Sequence, residues 1–294
     1  MIRAEWYGTM LAALSASLLG FVAFLGTALI HDHFSISSML FWRFITATLF
    51  LVIFIACSNK KLIAGNALKT HAHDLIGTAV LYGAAASCYF VSAKIIDTGL
   101  SVAIFFSFPM FVVFLSCLFS GFKLDKLTVL ALIAIFTGIA LIHGRQAQHI
   151  DGWGVFFALL SAFLYATYIC RSRIVGKVIP PIFLTTLVCT GCSIIFFIFA
   201  NAIHKFTAPH HLQDWLYILA LGGIGTALPI QLLLESLKYI SPVKASILAS
   251  LQVVVTVLMG SLFLGEQLST WQSLGIISLI FGAIIIQKNN ARPA

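Results

Sequence analysis

Long apolar runs separated by short polar breaks fill the chain almost end to end. Taking the breaks as boundaries divides it into ten segments: 7–30, 36–57, 74–93, 99–121, 127–143, 153–170, 181–201, 214–237, 244–264 and 270–287. Each is continuous and apolar and none alternates with period two, so the pattern predicts helices and not the strands of a barrel. At roughly 20 residues per crossing, each is long enough to traverse a bilayer.

The pattern also repeats. Residues 241–287 read SPVKASILASLQVVVTVLMGSLFLGEQLSTWQSLGIISLIFGAIIIQ, and residues 98–142 read TGLSVAIFFSFPMFVVFLSCLFSGFKLDKLTVLALIAIFTGIALI. Ser107 falls opposite Ser250 and Phe108 opposite Leu251; after a one-residue shift, Phe136 and Gly138 fall opposite Ile280 and Gly282. Five crossings is an odd number, so two such halves in one chain enter the membrane in opposite senses. The expectation is an all-α membrane protein of ten transmembrane helices, arranged as two inverted five-helix repeats over 1–146 and 147–294.

Composition sharpens this. With 61% hydrophobic and 9% charged residues, the chain has too little polar surface to face water and takes the lipid bilayer as its solvent. The first run is too long for a signal peptide and is followed by HDHFS where a small-residue cleavage site would stand, so it is expected to be retained. Lysine and arginine favour the cytoplasmic side of short loops. With a cytoplasmic N-terminus, Lys94, Arg145 and Lys205 fall outside and Arg43 within a segment, leaving 13 of the 17 basic residues inside. Both termini are therefore expected in the cytoplasm, and the net charge of +8 follows from topology without a nucleic-acid partner. The six cysteines lie in or at the ends of apolar runs and suggest no disulfide framework; Cys189 and Cys192 read as small residues on one helix face.

At this point the residues resemble a known family. The stretch LGEQLSTWQSLGIISLIFGAIII (264–286) is similar to the end of an EamA-type repeat of the drug/metabolite transporter superfamily, as is ALPIQLLLESLKYISPVKASILASL (227–251). Trp42, Arg43 and Phe44 resemble that family's early Arg-Phe pair. The sequence departs twice: Lys123 stands where the motif would place Glu, and Gln252 where the family has the proline that the first half keeps as Pro109. The resemblance implies a cavity between the two halves and export or exchange of small metabolites, amino acids or drug-like compounds across the bacterial inner membrane. It implies no cofactor and no metal.

Ionisable groups inside hydrocarbon cost at least ~2.5 kcal/mol each, which makes them functional candidates. Arg43 lies about seven residues, roughly 10 Å, from the outer end of its segment. It could bind an anionic substrate group or latch a gate; alternatively it snorkels outward or pairs with Glu266. Glu235 is a candidate for coupling to protons, or else pairs with Lys238 one turn on. Tyr82, Ser87, Tyr89, Ser107, Tyr165, Tyr168, Gln231, Ser250 and Gln252 are mid-depth polar groups that could line a cavity or bond helix to helix. Pro109 and Pro229 are candidate hinges or static kinks. Gly8, Ala12, Ala16 and Gly20 form a close-approach face, and Ser269 with Gln272 forms a helix-opening capping box. The histidine pairs His31/His33 and His71/His73 fall on opposite sides of the membrane and cannot share a metal.

Three function classes stand at this stage. A secondary transporter follows from the inverted repeat. A polytopic enzyme acting on lipid needs a convergent nucleophile, base or metal cluster, for which no pattern is seen. A non-transporting membrane subunit would have a solid interface between the halves.

Overall fold

A computed structural model describes residues 2–31, 35–58, 71–96, 98–143, 151–203, 206–264 and 269–288. Among these, helix follows helix in ten spans: α1 (Ile2–His31), α2 (Ile36–Cys57), α3 (Ala72–Ile96), α4 (Thr98–Phe105 and Phe108–Ser120), α5 (Lys126–His143), α6 (Gly152–Val175), α7 (Pro181–Ala202), α8 (Leu212–Ser236), α9 (Pro242–Ala249 and Leu251–Leu264) and α10 (Thr270–Lys288). Eight of them are long and apolar enough to cross a membrane, and Lys126–Ile142 is a shorter apolar helix. The outward faces carry large apolar side chains such as Phe119, Leu262 and Ile277, each more than 60% exposed, as a lipid-solvated surface requires. Two helices outrun their apolar segments. α1 starts at Ile2 and α6 runs on to Val175, because polar residues at a membrane face still satisfy one another's backbone groups by continuing the helix.

The predicted turn 265–268 lies outside the described residues, but the box that follows it is formed. The Ser269 N–H donates to Gln272 Oε1 (2.9 Å) and the Gln272 N–H to Ser269 Oγ (3.2 Å). Ser269→Ala is expected to lower stability by about 1 kcal/mol, read as a reduced thermal midpoint of the purified protein in detergent.

Two spans are interrupted at matching places. In α4 the Ser107 N–H bonds to the Ile104 carbonyl and the Met110 N–H to that of Ser107 (both 2.9 Å); in α9 the Ser250 N–H bonds to Ile247 (3.2 Å) and the Val253 N–H to Ser250 (3.1 Å). These are tightened, three-residue turns, and each position in α9 is its α4 counterpart plus 143. Pro109 removes a helix bond beside the first break. The second forms with Gln252 at that position, so the interruption of α9 does not depend on a proline.

α8 bends differently. Gly223–Ala227 is π-helical, with the Leu228 N–H bonded to the Gly223 carbonyl, and this widened turn accommodates the ring of Pro229.

The packing obeys the inverted repeat. α6 lies on α3 and α4, and α1 lies on α8 and α9; α2 packs on α7 and α5 on α10. Exchanging the halves converts each of these pairings into another of the set or into itself. The α5–α10 contact shows the symmetry residue by residue. Gly138 meets the backbone of Gly275, and Gly282 meets that of Ala131, which is the same pair with the halves exchanged. Between them Ser278 Oγ donates to the Ala134 carbonyl (2.7 Å), a contact between equivalent positions and so on the pseudo-twofold axis. The first helix of each repeat packs on the third and fourth of the other, so the halves are interleaved and do not merely abut.

The small-residue face of α1 is used for packing. Ala12 and Ala16 are buried, Gly8 lies under Tyr239 and Ile240, and Gly20 lies under Val255. All six cysteines are free.

Candidate functional site

The long side chain of Arg43 is carried by α2 and turns inward. Its Nε donates to Thr226 Oγ1 (2.5 Å) and an Nη to the Gly225 carbonyl (3.4 Å). Both acceptors belong to the π-helical turn near the middle of α8, and Thr226 is itself anchored through a bond to the Leu221 carbonyl (2.7 Å). The π turn presents these oxygens because its i→i+5 bonding shifts carbonyls out of the regular ladder. The guanidinium is therefore turned toward the middle of α8 and not along α2 toward a helix end; Glu266, the other expected partner, lies outside the described residues. Among the described residues Arg43 forms no ion pair. Both partners are neutral, and among the described residues two of its five N–H donors are engaged, which leaves a positive charge at the middle of α8 with donors to spare there.

An aromatic cluster adjoins it. Phe44 stacks on Phe196 (5.7 Å between centroids) and meets Tyr82 edge-on (6.0 Å). Tyr82 is edge-on to Tyr168 (4.9 Å) and Tyr165 (6.0 Å), which stack on one another (5.7 Å). Phe105 and Phe108, on either side of the α4 break, both reach Tyr165 (5.4 and 5.0 Å), and Tyr89 joins through Phe105 (5.6 Å). Such offset and edge-on pairs hold rings firmly. Tyr82 and Tyr165 keep accessible surface although rings surround them, as does Arg43.

Four hydroxyls are buried without a hydrogen-bond partner among the described residues: Tyr168 Oη, Ser107 Oγ, Ser250 Oγ and, near the end of α6, Ser172 Oγ. A buried unpaired hydroxyl costs about 1–3 kcal/mol, so these groups are held open against a penalty. Ser107 and Ser250 mark the two symmetric helix breaks.

The remaining candidates are elsewhere. Ser87 donates back to the Gly83 carbonyl of its own helix (2.8 Å). Gln231 accepts from Thr185 (2.9 Å), a bond between α8 and α7. Gln252 is half-buried, with its carbonyl toward Gly20 of α1. Glu235 is held by Lys238 (2.8 and 3.0 Å) at the basic end of the bundle. Pro109 and Pro229 are buried, and the Pro229 carbonyl accepts from Ser15 (2.7 Å), tying the α8 bend to α1.

Several participants were not legible in the sequence. Thr226 is one; the run GGIGT just before a proline, inside an apolar helix, was its signal. Cys189 and Cys192, buried on α7, lie within electrostatic reach of Arg43 and Tyr82. Lys244 reads by sequence as the cation at the cytoplasmic start of the ninth segment, yet it is 5% exposed and bonded to Glu5 of α1 (2.7 Å). Arg171 at the end of α6 is paired to Asp74 of α3 (2.8 Å). These contacts draw together helices of both repeats at the basic end. No cluster of three or more metal-ligating side chains occurs among the described residues.

Residues 6–144 and 152–287 each match the EamA-like transporter family. An uncharacterized transporter of Archaeoglobus fulgidus is 24% identical over 284 residues, covering 96% of this chain and 97% of its own. The uncharacterized transporter YxxF of Bacillus subtilis is 28% identical over 189 residues, 62% of this chain and 59% of its own. The threonine/homoserine exporter RhtA of Salmonella typhimurium is 26% identical over 193 residues, 65% of this chain and 63% of its own. A protein of known crystal structure superposes with a TM-score of 0.80 over 96% of this chain and 98% of its own, at 14% identity, and so shares the fold.

Proposed function

The chain belongs to the EamA-like transporter family, and from that premise we propose that it is an exporter of small metabolites, amino acids or drug-like compounds that works by alternating access around a cavity between its repeats, taken as 1–146 and 147–294. Its setting is the bacterial inner membrane with both termini cytoplasmic, which makes the basic end of the bundle the cytoplasmic one. The observation that carries the reading is Arg43, a cation at the middle of α8 with neutral partners and donors left over among the described residues, beside a cluster of three tyrosines.

A substrate with an anionic group, such as an amino acid, would engage the guanidinium through charge-assisted bonds, worth about twice their neutral counterparts. Its apolar part would lie against Tyr82, Tyr165 and Tyr168. The tightened turns at Ser107 and Ser250 and the π turn before Pro229 are the places where α4, α9 and α8 would flex, since fewer regular bonds resist bending there. Interleaved halves suit this mechanism, because tilting one repeat against the other shifts packing on both sides of the site together.

Reconstituted vesicles test it. Counterflow of radiolabelled amino acids, beginning with threonine and homoserine because the Salmonella relative is named for them, is expected to exceed that of empty vesicles for at least one compound. Correctly inserted protein that moves no amino acid, metabolite or drug-like compound would overturn the proposal. The same assay run across a pH gradient tests Glu235 as the proton carrier. Glu235→Gln is expected to abolish acceleration by the gradient, and an unchanged response would assign Glu235 to its bond with Lys238 alone.

A further inference from the structure

Two cavities flank the last turn of α6 at the basic end, and they differ in charge. One, of about 330 Å³, is bounded by Arg171, Asp74 and His71; the arginine there is already neutralised by the aspartate at 2.8 Å. The other, of about 390 Å³, lies between the ends of α6 and α8. Arg173 and Lys177 line it from the end of α6, and Leu234, Leu237 and Lys238 from the end of α8. Glu235, bonded to Lys238, is the acidic group at its edge, so two positive charges are in excess. Ser172 also lines it, 2% exposed, with an Oγ that has no partner among the described residues.

We propose that this second cavity binds a phosphate group, with Arg173, Lys177 and Lys238 as its charge partners and Ser172 as a hydroxyl donor. Cations at the C-terminal ends of helices, such as those of α6 and α8 here, complement the helix dipole wherever they occur. A recess between them, an apolar wall and a buried hydroxyl lacking a partner go beyond that need. Arg173 is placed by one bond to the Ile240 carbonyl (3.2 Å) and keeps donors for a ligand. Basic recesses between transmembrane helices take anionic headgroups, and here Leu234 and Leu237 would receive the start of an acyl chain. The same phosphate chemistry could come from a soluble phosphate. The site lies one helical turn beyond Tyr168 and does not depend on which substrate is carried.

The test uses the full chain in neutral detergent, with retained lipid counted by native mass spectrometry. Dioleoylphosphatidylglycerol is expected to be retained in preference to dioleoylphosphatidylcholine. Lys177→Gln/Lys238→Gln, two exposed positions whose loss leaves the fold intact, is expected to weaken retention about 25-fold, about fivefold for each cation. Ser172→Leu, which fills the recess without changing charge, is expected to reduce it as well. Millimolar inorganic phosphate that raises the thermal midpoint of the parent chain but not of the double variant, with no lipid preference, would identify a soluble phosphate as the ligand and support the site. Equal retention of the two lipids without any phosphate effect would overturn the proposal. So would loss of retention in the charge variant alone with Ser172→Leu unaffected, since that places binding on the general basic surface. Neither result bears on vesicle flux, so the transport reading stands or falls separately.

Discussion

Arg43→Ala is expected to reduce transport of an anionic-group substrate about 10- to 100-fold, while the protein folds and inserts normally. The magnitude follows from losing charge-assisted bonds to the substrate, about 1.5–3 kcal/mol. Folding is largely spared because Thr226 keeps its own bond to the Leu221 carbonyl when the guanidinium is gone, and the Gly225 carbonyl loses only a long bond of 3.4 Å. Arg43→Lys separates charge from geometry: an ammonium restores a point charge but cannot hold Thr226 and Gly225 while presenting further planar donors, so it should recover only part of the rate. Initial rates of counterflow, normalised to inserted protein, measure all three forms. Wild-type rates in the alanine variant would show that the cation serves only to bind α2 to α8.

Gly138→Ile is expected to give a large loss of stability at the repeat seam, about 3 kcal/mol. A Cβ at Gly138 would lie 2.7 Å from the Gly275 carbonyl oxygen and 2.8 Å from Leu279 Cγ; a Cβ at Gly275 would lie 2.6 Å from the Gly138 oxygen. The obstruction is backbone, so no rotamer change relieves it and α5 must move off α10. Ser278 would then lose the Ala134 carbonyl across the axis. Gly152, where an added Cβ meets nothing within 4 Å, supplies the control, and Gly152→Ala should shift stability by less than about 0.5 kcal/mol. Thermal midpoints in detergent by fluorescence-detected size exclusion compare the two. A Gly138→Ile chain as stable as the parent would mean the two helices do not approach this closely.

Much of the architecture could be read before any coordinates. Ten apolar runs became ten helices, and the register that set Ser107 against Ser250 proved to mark two equivalent helix breaks. Gly138 and Gly282, aligned by sequence, occupy equivalent places in one symmetric seam. The capping box at Ser269 is bonded as its spacing implied. These succeed because they are local: a helix satisfies its own backbone in lipid, so its length and ends follow from the residues within it.

The candidate site was legible only as a set of residue types. Tyr82, Tyr165 and Tyr168 meet in one cluster that Tyr89 joins through Phe105, whereas Ser87 bonds to its own helix and Gln231 to a neighbour. Sequence offered no way to separate these, because each is a polar group in an apolar run. Nor could it show that Arg43 runs inward to a π turn, or that Lys244 is buried against Glu5 239 positions earlier.

By itself, then, the sequence determined the number of crossings, the repetition of five, the family and the basic end. Those properties rest on hydrophobicity and charge added up along one dimension, and lipid sorts them without reference to any partner. The tertiary structure decided that the halves interleave, which polar groups meet and which cation turns to the middle of α8. Lipid is as apolar as a helix face, so nothing in a hydrophobic pattern marks which face meets which neighbour. That choice is made by close fits such as Gly138 on Gly275, which come into being only when both helices are in place.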